Sequence, residues 1–140
     1  MAIRGNPSIL GFHHVALETD KFEETIRFYT EGLGFKERYA WGEGSGRIVL
    51  LDVGDGNYLE VFAREPNEPG AGGRFFHVAL RSDDVDGAVE AAKAAGAVVT
   101  VEPKDVVLKG EPPTPVRIAF VRGVAGEIIE FFQSTGENQL

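Results

Sequence analysis

FHHVAL at residues 12–17 recurs as FFHVAL at residues 75–80, and this repeat decides the fold. Five of the six positions are identical, and His77 falls 63 residues after His14. Each stretch is short, apolar and rich in β-branched or aromatic residues, which is typical of a strand. The chain therefore contains an internal duplication, and each copy opens with a histidine in an apolar strand.

A second pair of similar stretches closes each copy. GNYLEVF at residues 56–62 resembles GEIIEFF at residues 126–132, with Glu60 and Glu130 at equivalent positions. We therefore predict two modules, at about residues 9–65 and 72–134. The joint at residues 65–73 is rich in proline and glycine, as is typical of a linker.

Each module has the same predicted order of elements, which is βαβββ. After the first strand, the first module has a helix and strands near residues 36–41, 47–53 and 58–62. The second module has a helix and strands near residues 97–101, 116–122 and 127–133. The predicted fold class is therefore α+β, built from two βαβββ modules.

Local patterns predict where the helices begin and where a loop lies. Two acidic pairs have the spacing of helix N-caps: Asp20 with Glu23, and Asp83 with Asp86. The first helix carries one apolar stripe: Phe22, Ile26, Tyr29 and Leu33. Residues 102–115 contain four prolines and are predicted to form a flap over a site.

Composition excludes several classes of function. The chain has 14 Lys and Arg against 22 Asp and Glu, a net charge of −8, so we expect no nucleic-acid partner. The absence of cysteine excludes disulfides, thiolate metal sites and cysteine nucleophiles. No apolar run reaches about 18 residues and the N-terminus lacks a signal-peptide core, so we expect no membrane association. The expected compartment is the cytoplasm.

The repeated histidines and glutamates carry the candidate chemistry. Strand alternation places Glu60 and Glu130 on faces that they share with large apolar side chains, where a carboxylate is costly unless it is paired or bound to a metal. Alone, such a glutamate is more often paired with an arginine, and a lone strand histidine is more often a core residue. Two related modules that face one another, however, would bring both glutamates close to His14 and His77. We therefore predict a metal site of two imidazoles and two carboxylates; a purely structural remnant is the alternative.

His13 is expected to point away from this site, because neighbouring residues of a strand face opposite sides. We interpret it as a core or surface residue, and the repeat selects His14 over it.

As a set, these stretches resemble the vicinal oxygen chelate superfamily, which includes glyoxalase I, methylmalonyl-CoA epimerase, extradiol dioxygenases, fosfomycin-resistance enzymes and bleomycin-resistance proteins. The resemblance covers residues 9–134 and is carried by FHHVAL, FYTEGLGF (residues 28–35), YLEVF (58–62), HVAL (77–80) and GEIIE (126–130). It implies one domain over residues 1–140, whose modules form an open barrel-like mixed sheet, the glyoxalase/bleomycin resistance/dioxygenase fold. The pattern is closest to that of glyoxalase I-like proteins.

The resemblance also implies one divalent metal ion as cofactor. Its ligands fall on one residue of each of four strands: His14, Glu60, His77 and Glu130. Two nitrogens and two hard oxygens suit Ni²⁺, Co²⁺, Mn²⁺, Fe²⁺ or Zn²⁺, and the lack of thiolates argues against a closed structural zinc site. Open positions on the ion would be chelated by two neighbouring oxygens of a small-molecule substrate.

This four-ligand set looks like that of bacterial glyoxalase I, a lyase that isomerises a thiol–methylglyoxal hemithioacetal through a metal-bound enediolate. By this similarity Glu130 and Glu60 are the candidate catalytic residues. Epimerases of the superfamily usually carry glutamine where Glu60 stands. Two alternatives stay open: an Fe²⁺ dioxygenase or thiol transferase of the same superfamily, and a non-catalytic binding protein of the bleomycin-resistance type.

Several positions depart from the glyoxalase I pattern and bear on the substrate. Glu18 stands where that family commonly has a basic residue for glutathione, which weighs against glutathione more than against the metal. Arg64 and Arg117 are candidates to bind an acidic group, and Trp41 is a candidate to line the cleft; a surface or core role is the simpler alternative for each. The resemblance further implies a homodimer, with the site in one chain or shared between two.

Overall fold

The structure is a computed structural model that describes residues 8–65 and 73–140. Most of the predicted linker, residues 66–72, lies outside the described residues, and so does the predicted start of the second module at residue 72. None of the described helices is long and apolar enough to cross a membrane.

The described elements follow the predicted order twice. The first half contains β1 (Ile9–Thr19), α1 (Phe22–Arg27), a π-helical segment (Phe28–Gly32), β2 (Lys36–Trp41), β3 (Ile48–Asp52) and β4 (Tyr58–Ala63). The second half contains β5 (Arg74–Ser82), α2 (Val85–Ala94), β6 (Val98–Leu108), β7 (Thr114–Arg122) and β8 (Ile128–Ser134). A short 3₁₀ turn (Gly44–Gly46) precedes β3.

The described chain forms two compact units. The first contains residues 14–65, 73–76 and 109–112, and the second contains residues 8–13, 77–108 and 113–140. Within the first unit the strands lie in the order β2-β3-β4-β1, with β1 parallel to β4 and the other pairs antiparallel. Within the second unit the order is β5-β8-β7-β6, with β5 parallel to β8 and the other pairs antiparallel. The predicted pair of βαβββ modules with mixed strand directions is therefore confirmed.

In each unit one face of the sheet packs against the helix. In the first unit the buried side chains of this layer are Leu17, Phe22, Val49, Leu51, Leu59 and Val61. In the second they are Val85, Ala88, Val89, Ala119, Val121 and Phe131. Burial of each larger side chain contributes about 1.5–3 kcal/mol. Because successive strand residues alternate, Glu60 and Glu130 lie on the opposite face, away from the helix.

The first helix differs from its prediction at both ends. Asp20 does not cap it; the N-cap is Lys21, which makes no side-chain cap, and its backbone N–H donates to Thr19 Oγ1 over 2.9 Å. The π-helical segment then widens the last turn and shifts the phase of the apolar stripe. Leu33 is consequently 56% exposed instead of packed against the core.

The second half contains two further corrections. Asp84, and not Asp83 or Asp86, caps α2, because its carboxylate accepts the backbone N–H of Gly87 over 3.0 Å. The predicted flap at residues 102–115 is largely strand, since β6 continues to Leu108 and pairs with β7. Pro103 lies where the register of β6 shifts, and β6 is the strand at the edge of the sheet. At such a position the missing backbone N–H of proline is tolerated. Only the turn at residues 109–113 is left as loop.

Candidate metal centre

The first unit buries an imidazole beside a carboxylate. His14 Nε2 on β1 lies 3.0 Å from Glu60 Oε1 on β4, and the two side chains are 1% and 8% exposed. In the parallel pairing of these strands the direct partner of Glu60 is Ala16, two residues after His14 on the same face. Ala16 is fully buried and its single methyl group leaves space for the carboxylate. The small residue therefore allows the histidine and the glutamate to meet.

The second unit contains the same arrangement. His77 Nε2 on β5 lies 3.0 Å from Glu130 Oε1 on β8, and the side chains are 5% and 7% exposed. The direct partner of Glu130 is Ala79, again two residues after the histidine and fully buried. The sequence motif His-Val-Ala opposite a glutamate thus builds one imidazole–carboxylate pair in each unit.

The donor chemistry of each pair fits a divalent metal ion. Two atoms that each lie about 2.1 Å from an octahedral ion, at right angles, are separated by about 3.0 Å. The Nε2–Oε1 distance of 3.0 Å in both pairs equals this separation, although it also equals that of an ordinary hydrogen bond. Neutral imidazole nitrogen and carboxylate oxygen suit Ni²⁺, Co²⁺, Mn²⁺, Fe²⁺ and Zn²⁺. Each pair can therefore supply two adjacent ligands of such an ion.

An aromatic ring that was not predicted from the sequence packs against one of the histidines. Phe120 packs edge-on against His77, with ring centroids 5.5 Å apart and planes at 89°. Its direct strand partner is Glu130, so all three side chains share one face. The equivalent partner of Glu60 in the first unit is Leu50, which has no ring. No sequence signal separated Phe120 from the other apolar residues of its strand.

His13 lies in the core, as predicted. Its side chain is fully buried, and its ring stacks on Phe132 with centroids 3.9 Å apart. This packing gives it a structural role that is distinct from that of His14.

Trp41 lies on the same sheet face as the first pair. Its antiparallel partner is Ile48, whose partner on β4 is Phe62, two residues from Glu60. Residues directly opposite one another share a face, so Trp41 stays a candidate to line the substrate cleft.

Neither of the two predicted arginines is part of the imidazole–carboxylate pairs. Arg64 follows β4, about 13 Å along an extended chain from Glu60, and lines a cavity of about 390 Å³ beside the start of α1. Arg117 lies on the helix face of β7, where its guanidinium contacts Asp86 over 2.9 Å and Asp105 over 3.1 Å. The hydrogen bonds from Arg117 hold the pKa of Asp86 below its usual value, and the two carboxylates raise the pKa of Arg117. Arg117 is therefore already engaged, and we assign it no substrate contact.

The comparisons with known proteins agree on one family. Residues 11–110 match the family model described as Glyoxalase/Bleomycin resistance protein/Dioxygenase superfamily. A protein named probable lactoylglutathione lyase from Vibrio cholerae is 30% identical over 127 residues, which cover 86% of this chain and 88% of that protein.

Solved structures show the same fold. Methylmalonyl-CoA epimerase from Mycobacterium tuberculosis superposes with a TM-score of 0.77 at 18% identity, over 96% of this chain and 94% of that one. A variant of the Streptomyces coelicolor methylmalonyl-CoA epimerase, in complex with 2-nitronate-propionyl-CoA, superposes with a TM-score of 0.70 at 22% identity, over 92% and 100%. These structures confirm the predicted fold class, and the match to the family model confirms the predicted superfamily.

Proposed function

This chain belongs to the Glyoxalase/Bleomycin resistance protein/Dioxygenase superfamily, and from that premise we propose that it is a metal-dependent lyase or isomerase. Membership of this superfamily supports the coarser conclusion that the chain is a metal-dependent enzyme that binds a small molecule. The proposed reaction is more specific. A proton is moved between two neighbouring carbons of the substrate, each of which carries an oxygen, as in a thiol–methylglyoxal hemithioacetal.

One observation carries this proposal: the two buried pairs are chemically and geometrically alike. His14 with Glu60 and His77 with Glu130 occupy repeat-related positions, show the same 3.0 Å separation and are almost fully buried. Each of the four residues offers one ligand atom. A buried carboxylate needs a compensating positive charge, which a divalent ion would provide. We propose that both pairs hold a single divalent ion.

The residues of the pairs have separate roles in the proposed reaction. When bound, the ion would act as a Lewis acid that polarises a substrate carbonyl and stabilises negative charge on its oxygen. Glu130 removes the proton from the carbon that bears the hydroxyl and the thioether, and returns it to the neighbouring carbon, while the hydroxyl proton passes from the first oxygen to the oxygen of that neighbouring carbon. The product is a 2-hydroxy thioester, an isomer of the substrate, so no oxidant or further reactant is consumed. Glu60 is the second candidate base.

The likeness to other proteins supports the reaction class unevenly. The Vibrio relative is named for a lyase, and its identity to this chain of 30% extends over most of both chains. The epimerase structures are 18% and 22% identical, so they support the fold and not the reaction.

We further propose a homodimer, which light scattering of the purified protein would detect.

The test is an isomerisation assay. Protein loaded with Ni²⁺ or Co²⁺ is mixed with methylglyoxal and each of a panel of small thiols, and formation of the thioester is monitored by its absorbance. We expect Glu130→Gln to lower kcat by about 10²–10⁴-fold, the usual contribution of a general base, while protein folding is retained. Glu60→Gln measures the second carboxylate, and Glu90→Gln, at an exposed site on α2, is the matched control.

Three results would contradict the proposal. Activity of Glu130→Gln and Glu60→Gln within about threefold of the wild type would remove both bases from the mechanism. Oxygen consumption with a catechol after loading with Fe²⁺, without any isomerisation, would favour the dioxygenase alternative. Binding of small molecules without turnover under any metal would favour the binding-protein alternative.

A further inference from the structure

Residues 135–140 follow β8 and fold back over the second unit as a strap that is neither helix nor strand. The backbone N–H of Thr135 donates to the carbonyl oxygen of Pro115 over 3.1 Å. The side chain of Asn138 donates from Nδ2 to Thr114 Oγ1 over 2.9 Å. The strap is thus attached to the start of β7 by hydrogen bonds and not by strand pairing.

Leu140 is held through its side chain and through both of its main-chain polar atoms. The residue is only 2% exposed. Its N–H donates to Ser134 Oγ over 3.0 Å, and its main-chain oxygen accepts a hydrogen bond from Arg81 Nη1 over 2.8 Å. The Ser134 hydroxyl lies 3.4 Å from the same oxygen. We call Arg81, Ser134 and the space that Leu140 fills the strap site.

The strap site lies on the face of the sheet that carries the second imidazole–carboxylate pair. Leu80 packs against the helix layer, so its neighbours Ala79 and Arg81 face the other way. The direct strand partner of Ala79 is Glu130, and that of Arg81 is Phe132. Arg81 therefore lies about 7 Å along the strand from Ala79, in the next row of side chains. The strap site is a neighbour of the candidate metal centre but shares no residue with it.

The chemistry of the strap site selects one class of ligand. The guanidinium of Arg81 matches a carboxylate best, because the two groups can form parallel N–H···O bonds that are assisted by charge. Ser134 accepts an amide N–H, and the buried position of Leu140 fits a branched aliphatic side chain. A ligand that carries all of these groups is an N-acylated branched aliphatic amino acid.

We propose that the strap is a resident ligand of this site, and that an N-acylated branched aliphatic amino acid displaces it. Displacement is feasible because segments that lack strand pairing open locally at low cost. Ligand and strap compete for the same contacts, so the apparent Kd depends on the fraction of molecules whose strap is open. The strap site needs no metal ion, and the inference is therefore independent of the proposed function.

Isothermal titration of the full chain with N-acetyl-L-leucine tests the strap site. N-acetyl-L-leucinamide lacks the carboxylate and N-acetylglycine lacks the branched side chain, so each should bind at least about tenfold more weakly. Arg81→Gln removes the guanidinium and should raise the Kd of N-acetyl-L-leucine by a similar factor. Amide exchange at residues 138–140 should become faster when the ligand is added, because the strap leaves the sheet.

A variant that weakens the strap tests the competition. A Cβ atom at Gly136 would lie 2.8 Å from Pro115 Cγ, so Gly136→Ala should push the strap off the sheet and lower the Kd of N-acetyl-L-leucine about tenfold or more. Gly46→Ala is the control, since a Cβ there has nothing within 4 Å. If circular dichroism shows that Gly136→Ala does not fold, Leu140→Ala takes its place, because it removes the buried anchor of the strap and leaves that space to the ligand.

Several outcomes would overturn the inference. They are no binding of N-acetyl-L-leucine to the wild type or to a strap variant, equal binding of the leucinamide, an unchanged Kd in Arg81→Gln, or a strap variant that binds no more tightly than the wild type. None of these measurements involves metal or turnover, so their failure would leave the proposed isomerisation untouched.

Discussion

The two imidazole–carboxylate pairs are alike in their contacts but differ in their surroundings. Both have a 3.0 Å Nε2–Oε1 distance, and both have a buried alanine opposite the glutamate. The residue opposite on the next strand is Leu50 in the first unit and Phe120 in the second. The duplication has therefore kept the atoms that would bind metal, while the layer around them has diverged.

The helices behind the two pairs have diverged further. α1 has six residues, lacks a side-chain N-cap and continues into a π-helical segment. α2 has ten residues and is capped by Asp84. Since both helices cover equivalent sheets, the difference shows that the fold needs an apolar layer at this place and not one particular helix.

The largest expected effect comes from removing one histidine of either pair. His14→Ala and His77→Ala should each raise the Kd for Ni²⁺ by more than about 100-fold. This is more than the loss of a residue that only hydrogen-bonds to a metal ligand usually costs. Isothermal titration measures this, with His13→Phe as the control that keeps a ring against Phe132. If only one histidine variant lost affinity, the two pairs would not be equivalent.

A smaller effect should distinguish the two pairs. Phe120→Leu gives the second unit the residue that the first has at the equivalent position, and removes the edge-on contact with His77. An edge-to-face contact contributes about 0.5–1.5 kcal/mol, so we expect a two- to tenfold higher Kd for Co²⁺. Phe28→Leu, at an exposed site on the π-helical segment, is the control. An unchanged Kd would show that Phe120 does not orient His77.

The smallest effect concerns the helices. Asp84→Ala should lower the free energy of unfolding by about 1 kcal/mol, because the cap of Gly87 N–H is lost. Asp20→Ala should change it by less than about 0.5 kcal/mol, since Asp20 is not the N-cap of α1. Urea unfolding of both variants makes the comparison. Equal losses would mean that the two helix starts are equally dependent on their acidic residues.

The repeat predicted the modules and their order of elements, because duplicated strands leave recognisable residues at fixed offsets. The superfamily was predicted from the resemblance of these stretches to a known family. The repeat also selected His14 over His13, since only one histidine recurs. A β-bulge at Arg38 of β2 could not be predicted, because an extra residue in a strand changes the facing of Tyr39 without any signal in local composition.

Proline content was misleading at residues 102–115. Its four prolines suggested a loop, but β6 accommodates Pro103 where its register shifts and pairs with β7 up to Leu108. The contact of Tyr39 with Gly110 and Pro112 joins residues about 70 positions apart, so no short-range pattern indicates it.

The central claim is that both pairs share one ion, and the stoichiometry of metal binding tests it most directly. Metal-free protein is titrated with Co²⁺ while heat and visible absorption are recorded. The account predicts one ion per chain with the weak absorption of a six-coordinate site. Two independent ions per chain, one for each imidazole–carboxylate pair, or no stoichiometric binding would contradict it.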